Sequence, residues 1–304
     1  SVQDARVIVN QIFSAKVSCC TLSPSLFSGV AEYCIQQNIS LPLLRRAVTG
    51  GAPVSRDAVR NFQSIAPNAK ILVLYGSTEV EPIAHIEASE MLADSLEREG
   101  VNVGRVSDDL EYKFIRIFRG DIELRESGWK EWEIKKGKIG ELVVSGPHVC
   151  EDYYNNPEAV RATKIIENTG KIWHRTGDLA NLDEKDNLWI VGRIHNVIIR
   201  ANEYIFPVHA EILLKKLPFV KQAAYLGMED ADLGEKACVA VSLKEDAAKE
   251  DTKRYIDEIK GILSKNKIVV DQMIIIPNIP MDPRHHSKVE YSTLKTMLRQ
   301  KKYV

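Results

Sequence analysis

Ile71-Leu72-Val73-Leu74-Tyr75-Gly76-Ser77-Thr78-Glu79 is the stretch on which the reading of this chain turns. Four consecutive apolar side chains cannot alternate between a core and water, so the run predicts a strand buried on both faces, as in a parallel sheet. It follows a helical stretch from about Val59 to Ile65 that ends at Pro67, because proline cannot continue a helix. A helix feeding a buried strand is the unit of an open α/β sheet, and such sheets bind ligands beyond the carboxyl ends of their strands. Tyr75 to Glu79 therefore form a loop where chemistry is expected.

Upstream, Leu26, Val30 and Cys34 recur every four residues, which predicts a helix from Ser25 to Gln37 with one buried face. Downstream, between about Gly104 and Leu188, short β-rich segments such as Tyr112 to Ile117 and Glu141 to Val144 are separated by glycine turns, the pattern of a small barrel or sandwich. After Gly192 helices and strands alternate again. Helices are expected from about Val208 to Lys216 and from Thr252 to Leu263, the latter burying Tyr255, Ile259 and Leu263. Strands are expected around Cys238 to Leu243 and Met273 to Ile276, before a last helix rich in Lys and Arg. The fold class expected is α/β: part of an α/β sheet subdomain (1–105), a small β-barrel (106–194) and a compact α+β carboxyl-terminal domain (195–304).

The chain has 304 residues, and its 41 basic and 42 acidic residues leave a formal charge of -1. No basic stripe points to nucleic acid, and no polybasic patch points to a membrane surface. No apolar run approaches the ~20 residues of a membrane span. A small-molecule partner is expected. Five cysteines without CxxC spacing suggest reduced thiols in a cytoplasmic protein rather than a disulfide framework or a zinc site. The first residues, Ser1-Val2-Gln3, carry neither an initiator Met nor a signal-peptide pattern, so a piece of a longer protein is expected. The charged stretch from Lys244 to Arg254 reads as a solvated turn and helix start.

Three further segments accompany the Tyr75 to Glu79 stretch. Thr49-Gly50-Gly51-Ala52-Pro53 precedes it, and its small residues let backbone approach a flat ligand closely. Trp173-His174-Arg175-Thr176-Gly177-Asp178-Leu179 follows, with Gly192-Arg193 after it. Lys288, within Arg284-His285-His286-Ser287-Lys288, lies near the end. His285 and His286 are adjacent, without the i, i+4 spacing of a helical metal pair, and read as loop residues. Gly137 to Pro147 and Tyr153-Tyr154-Asn155 lie between Glu79 and Trp173.

On these segments, in this order, the chain resembles the adenylate-forming superfamily of acyl- and aryl-CoA synthetases, peptide-synthetase adenylation domains and luciferases, over nearly its whole length. The resemblance implies ATP-dependent activation of a carboxylic acid, of the fatty-acid type, to an acyl-adenylate, then transfer to CoA. It places Gly50, Gly51, Ala52, Pro53, Tyr75, Gly76 and Ser77 around the nucleotide, with the Tyr75 ring on adenine. It puts Thr78 on the α-phosphate, Glu79 on magnesium, Asp178 on both ribose hydroxyls, Arg193 on the nucleotide after it, and Lys288 as the catalytic lysine. The implied cofactors are ATP or AMP and Mg, with CoA as the acceptor.

Three departures qualify that expectation. The superfamily grips the β- and γ-phosphates with a Ser/Thr/Gly-rich loop ending in Lys-Gly, and no such cluster occurs in these 304 residues. An amino-terminal half is therefore expected upstream, and this piece alone is expected to be inactive. His195 stands at the hinge position that more often holds Asp or Lys. Where CoA ligases read Arg-Gly-Gly-Glu, this chain has Arg200-Ala201-Asn202-Glu203, and a methyl and an amide narrow the space that glycines leave for the pantetheine arm. Arg-His-x-x-Lys, Tyr-x-x-Pro after the hinge and Gly-Gly-Ala-Pro-Val resemble olefin-forming β-lactone synthetases, which adenylate a β-hydroxy acid without CoA. That is the alternative enzyme, and a noncatalytic AMP-binding module is the alternative of another class.

Overall fold

The computed structural model describes residues 4–93, 100–247, 252–281 and 289–300. The chain divides into two compact units, one running to Ile190 and the other beginning at Val191, with Val101 grouping with the latter.

The first unit opens α1 (Ala5–Ser14), β1 (Cys19–Leu22), α2 (Pro24–Gln36), β2 (Arg46–Gly50), α3 (Arg56–Ile65), β3 (Lys70–Ser77), β4 (Val80–Glu87) and α4 (Ala88–Ala93). Ser23 and Ser55 start α2 and α3 by accepting hydrogen bonds from the backbone N–H groups of Leu26 and Ala58, which satisfies donors a first helical turn leaves bare. The predicted helices are present. Phe27, however, takes the buried place on α2 beside Val30 and Cys34, while Leu26 is half-buried. Phe27 stacks on Phe62 of α3, ring centroids 4.0 Å apart, and this pair centres the core under the sheet.

Strands β1, β2 and β3 are parallel, and β4 returns antiparallel to β3. The run Ile71 to Leu74 is thus a strand with a parallel neighbour, but only Ile71 is fully buried. Tyr75, Gly76 and Ser77 continue the strand rather than forming a loop. Ser77 pairs with Val80, which leaves Thr78 and Glu79 as a two-residue hairpin turn. Gly76 fits that close return, since a Cβ there would lie 2.7 Å from the Val80 carbonyl oxygen.

The second sheet comprises β5 (Val101–Asn102), β7 (Glu111–Ile115), β8 (Gly140–Ser145), β9 (Lys164–Ile166), β10 (Ile172–Leu182) and β11 (Leu188–Arg193), with β6 (Arg105–Val106) joining β4 in the first sheet and α5 (Pro157–Thr163) preceding β9. Its order is β5-β11-β10-β8-β7, with β9 on β10. This sheet is open rather than closed into the small β-barrel expected over 106–194. Residues 116–139, between β7 and β8, form turns and one 3-10 turn at Gly128–Glu131 and add no strand that would join the edges. The two sheets share a core in which Val80, Ile83 and Ala84 of β4 meet Leu110, Phe114, Leu142, Val144 and Leu182.

Inside the second sheet, Arg175 of β10 and Glu141 of β8 form an ion pair at 2.7 Å, almost fully removed from water. Arg175 also donates to the carbonyl of Phe118 at 2.8 Å and to that of Gly120. Burial pushes the Glu141 carboxyl up, and the guanidinium pulls against it.

The second unit contains β12 (Ile198–Arg200), β13 (Glu203–Ile205), α6 (Pro207–Lys215), β14 (Val220–Asp230), β15 (Gly234–Leu243), α7 (Thr252–Lys265), β16 (Gln272–Ile275) and α8 (Tyr291–Gln300). Its sheet runs β13-β12-β15-β14, with β16 parallel to β15. Tyr255, Ile259 and Leu263 of α7 are buried on one face, as their period predicts. Leu294 and Leu298 of α8 cover the other face at Ala224, Leu226, Cys238 and Ala240. The long strand β14 escaped sequence reading, because Val220 to Asp230 mixes buried alanines with charges. Among the described residues no helix is long and apolar enough to cross a membrane.

Removing one member of a buried ion pair leaves the other charge uncompensated. Arg175→Met is expected to lower the stability of the first unit by about 3–5 kcal/mol. Urea unfolding followed by the fluorescence of the unit's tryptophans measures it, and a loss under about 1 kcal/mol would show the pair to be dispensable.

Candidate active site

The carboxyl ends of β2 and β3 lie side by side, with Thr49 level with Val73 and Gly50 with Leu74. A Cβ on Gly50 would lie 2.6 Å from the Leu74 carbonyl oxygen, so the neighbouring strand itself demands glycine there. Gly51 has φ +81° and open space where a Cβ would stand, which suits it to lead the chain out of the strand into Ala52 and Pro53. Thr49 is fully buried, and its hydroxyl has no hydrogen-bond partner.

Asp178 is delivered to this edge by an irregularity in β10. The pairing of β10 with β8 shifts register between Arg175 and Leu179, and Gly177 adopts φ +70°. A bulge of this kind redirects a side chain that a regular strand would point elsewhere. Thr176 fixes it, donating to the Leu142 carbonyl at 2.9 Å and accepting from the Asp178 N–H at 3.0 Å. The Tyr75 hydroxyl then donates to Asp178 Oδ2 at 2.6 Å, joining two motifs far apart in sequence.

Glu79, on the hairpin turn, accepts a hydrogen bond from the Tyr153 hydroxyl at 3.0 Å. Its own N–H donates to Ser77 Oγ at 3.3 Å. Burial pushes the Glu79 carboxyl up, but hydrogen bonds from Ser77, its own backbone and Tyr153, with His174 nearby, outweigh it and hold the group below its ordinary value. Glu79 is therefore held in its ionised form. Among the described residues no group of three His, Cys, Asp or Glu is placed to hold a metal. Magnesium needs no such cage, since it takes one or two carboxylates and completes its shell with water and substrate oxygens, and Glu79 fits that demand. Thr78 beside it is exposed.

Behind Glu79 lies a polar cluster that sequence reading missed. Lys164, only 4% exposed, donates to the Cys150 carbonyl and lies 3.2 Å from His174 Nδ1. Tyr153 carries no role in the sequence reading. The available signal was a lysine opening the apolar run Lys164-Ile165-Ile166, a charge where the strand needs an inward side chain.

Arg193 ends β11 on the second unit, where its carbonyl accepts the N–H groups of Asn196 and Val197 and starts the turn containing His195. Lys288, with His285 and His286, lies outside the described residues. The residues brought together are thus Thr49 to Gly51, Tyr75 to Glu79 and Asp178, all in the first unit.

Comparison with known proteins bears on this geometry. The mitochondrial medium-chain acyl-CoA ligase of Rattus norvegicus is 28% identical over 249 residues, covering 81% of this chain and 37% of that protein. The olefin beta-lactone synthetase of Stenotrophomonas maltophilia is 26% identical over 276 residues, 88% of this chain and 48% of that protein. The solved O-succinylbenzoate coenzyme A synthetase of Bacillus subtilis, in complex with ATP and magnesium ion, superposes with a TM-score of 0.72 at 23% identity, over 96% of this chain and 54% of that one. The chain spans less than half the length of the two curated relatives. The sequence profile described as AMP-binding enzyme matches residues 1–154, a span that holds both Thr49 to Pro53 and Tyr75 to Glu79, and the chain belongs to that family.

Proposed function

We propose that the protein carrying this chain activates a carboxylic acid, of the fatty-acid class, with ATP and passes the acyl group to CoA. The observation that carries this reading is the 2.6 Å contact between Tyr75 and Asp178. It sets an aromatic ring and a carboxylate at one sheet edge, the pair needed to hold a base and a ribose. The small residues Gly50 to Pro53 border the same edge.

In the first step a carboxylate oxygen of the acid attacks the α-phosphorus, and the bond to pyrophosphate breaks. Asp178 accepts the ribose hydroxyls, and Thr78 donates to the α-phosphate. Glu79 supplies an anionic oxygen to magnesium, which would neutralise phosphate charge when bound. Lys288 contributes an ammonium where negative charge gathers in the transition state. In the second step the CoA thiolate attacks the acyl carbon and AMP leaves. The grip on the β- and γ-phosphates is supplied by residues outside these 304, so this piece alone binds AMP without turning over ATP. The five free cysteines suit a reducing compartment such as the cytoplasm.

One observation favours a second acceptor. Ala201 and Asn202 form a two-residue hairpin tip between Arg200 and Glu203, with φ of +48° and +66°. Glycine adopts this conformation freely, whereas alanine incurs about 1–2 kcal/mol there. A methyl and an amide at such a tip support an enzyme that has closed its thiol path and uses the substrate's own β-hydroxyl, forming a β-lactone and AMP without CoA.

Asp178→Ala is expected to weaken AMP binding to this chain by about 10–100-fold, the loss of charge-assisted hydrogen bonds. Tyr75→Phe should cost less. Calorimetric titration measures both, and unchanged affinity in Asp178→Ala would remove the site from the nucleotide. Incubating the whole protein with ATP and a β-hydroxy fatty acid, with and without CoA, and weighing the products separates the acceptors. A CoA thioester supports the ligase, and a lactone formed without CoA supports the second reading. In the lactone case the double change Ala201→Gly and Asn202→Gly is expected to raise thioester yield. Absence of any acid-dependent AMP formation would leave a noncatalytic AMP-binding module.

A further inference from the structure

We propose that Lys164 is a positioning residue for the Glu79 carboxylate, acting through the loop from Cys150 to Tyr153; the proposal rests on the adenylation reading. Lysine is almost never sealed from water without a partner of opposite charge. Lys164 is sealed, and among the described residues no carboxylate lies at ion-pair distance from it. Its ammonium is held instead by the Cys150 carbonyl, the lone pair of His174 Nδ1 and the face of the Tyr153 ring at 5.2 Å. For stability alone, an apolar side chain in this strand would serve as well or better, so the charge has another use.

The geometry shows what it holds. The Cys150 N–H donates to the Glu79 carbonyl at 2.7 Å, while the Cys150 carbonyl accepts from Lys164. Three residues on, the Tyr153 hydroxyl donates to Glu79 Oε1. Thr163, next to Lys164, places its hydroxyl 3.5 Å from the Tyr153 hydroxyl and anchors itself to the Ala159 carbonyl at 2.7 Å. Two successive residues, the last of α5 and the first of β9, therefore grip the loop at both ends. The loop in turn grips Glu79 by its main chain and by its carboxylate. A carboxylate so held keeps one orientation, and partners of this kind around a metal ligand typically contribute 10–100-fold in metal affinity.

The test uses the whole protein and the variants Lys164→Met, Tyr153→Phe and Thr163→Val. Mn2+ binding in the presence of ATP is titrated by electron paramagnetic resonance, and the Mg2+ dependence of pyrophosphate exchange is measured beside it. Lys164→Met and Tyr153→Phe are expected to weaken Mn2+ about tenfold or more, with AMP affinity in the absence of metal within twofold of wild type. Saturating Mg2+ should restore most of the exchange rate, a rescue that a generally loosened fold would not give. The double variant should be no weaker than the worse single one, because both act through one loop. If Lys164→Met fails to fold, Tyr153→Phe and Thr163→Val decide the matter, with Thr163→Val expected to show the smaller shift in the same direction. Mn2+ affinity within twofold of wild type in the folded variants would overturn the proposal. A wild-type protein that binds neither AMP nor Mn2+ with ATP would overturn the adenylation reading itself, a distinct outcome.

Discussion

A guanidinium sealed from water must find acceptors for its N–H groups, and Arg175 imposes that demand on the first unit. It is met by Glu141 across the β8–β10 ladder and by carbonyls of Phe118 and Gly120 in the segment that follows β7. Three separate pieces of chain are thereby fixed about one side chain. The fixed point sits immediately before the bulge at Thr176 and Gly177, so the bulge cannot slide along the strand. A one-residue slip would turn Arg175 outward and Asp178 away from Tyr75. The motif from Trp173 to Asp178 is thus a mechanical unit: an anchored arginine, a threonine that locks the bulge, a glycine that permits it, and a carboxylate aimed by it.

β4 transmits this order to the hairpin turn. Its residue Ile86 enters the core beneath the first sheet, while Val80, Ile83 and Ala84 enter the core shared with β8 and β10. A strand packed on both sides has little freedom, and the turn at Thr78 and Glu79 inherits that rigidity from one end. The loop from Cys150 to Tyr153 supplies the other. Binding groups carried on a rigid scaffold in this way lose little entropy when they engage a ligand.

Local periodicity makes much of this legible in the sequence. The strand at Ile71, the face of α7 at Tyr255, Ile259 and Leu263, and the helices capped by Ser23 and Ser55 depend on neighbours a few residues away. The four motifs were legible as well, but as words rather than as geometry. The resemblance singles out Tyr75 and Asp178 and does not place the phenol against the carboxylate. The expected barrel failed for a similar reason, since closure depends on whether residues 116–139 supply an edge strand, and their short apolar stretches do not decide it. Lys164 shows in the sequence only as a charge opening an apolar run, because its reasons are the Cys150 carbonyl and His174, neither of which any helical or strand period relates to it.

Two tyrosines, each donating to a carboxylate from a distant segment, give the site its electrostatic character. Tyr75 reaches Asp178 from β3, and Tyr153 reaches Glu79 from the loop after β8. A carboxylate offers about four acceptor positions, so a single phenol orients it without exhausting it. The choice of donor matters most at Glu79, which has no cation at ion-pair distance among the described residues. A lysine or arginine in place of Tyr153 would steady the carboxylate equally well and cancel its charge. A phenol steadies it and leaves the charge standing, while Lys164 acts one layer back through the Cys150 peptide, close enough to favour the ionised form and too far to satisfy it. Hydrogen bonds thus favour the ionised Glu79 while leaving its charge uncancelled on the turn.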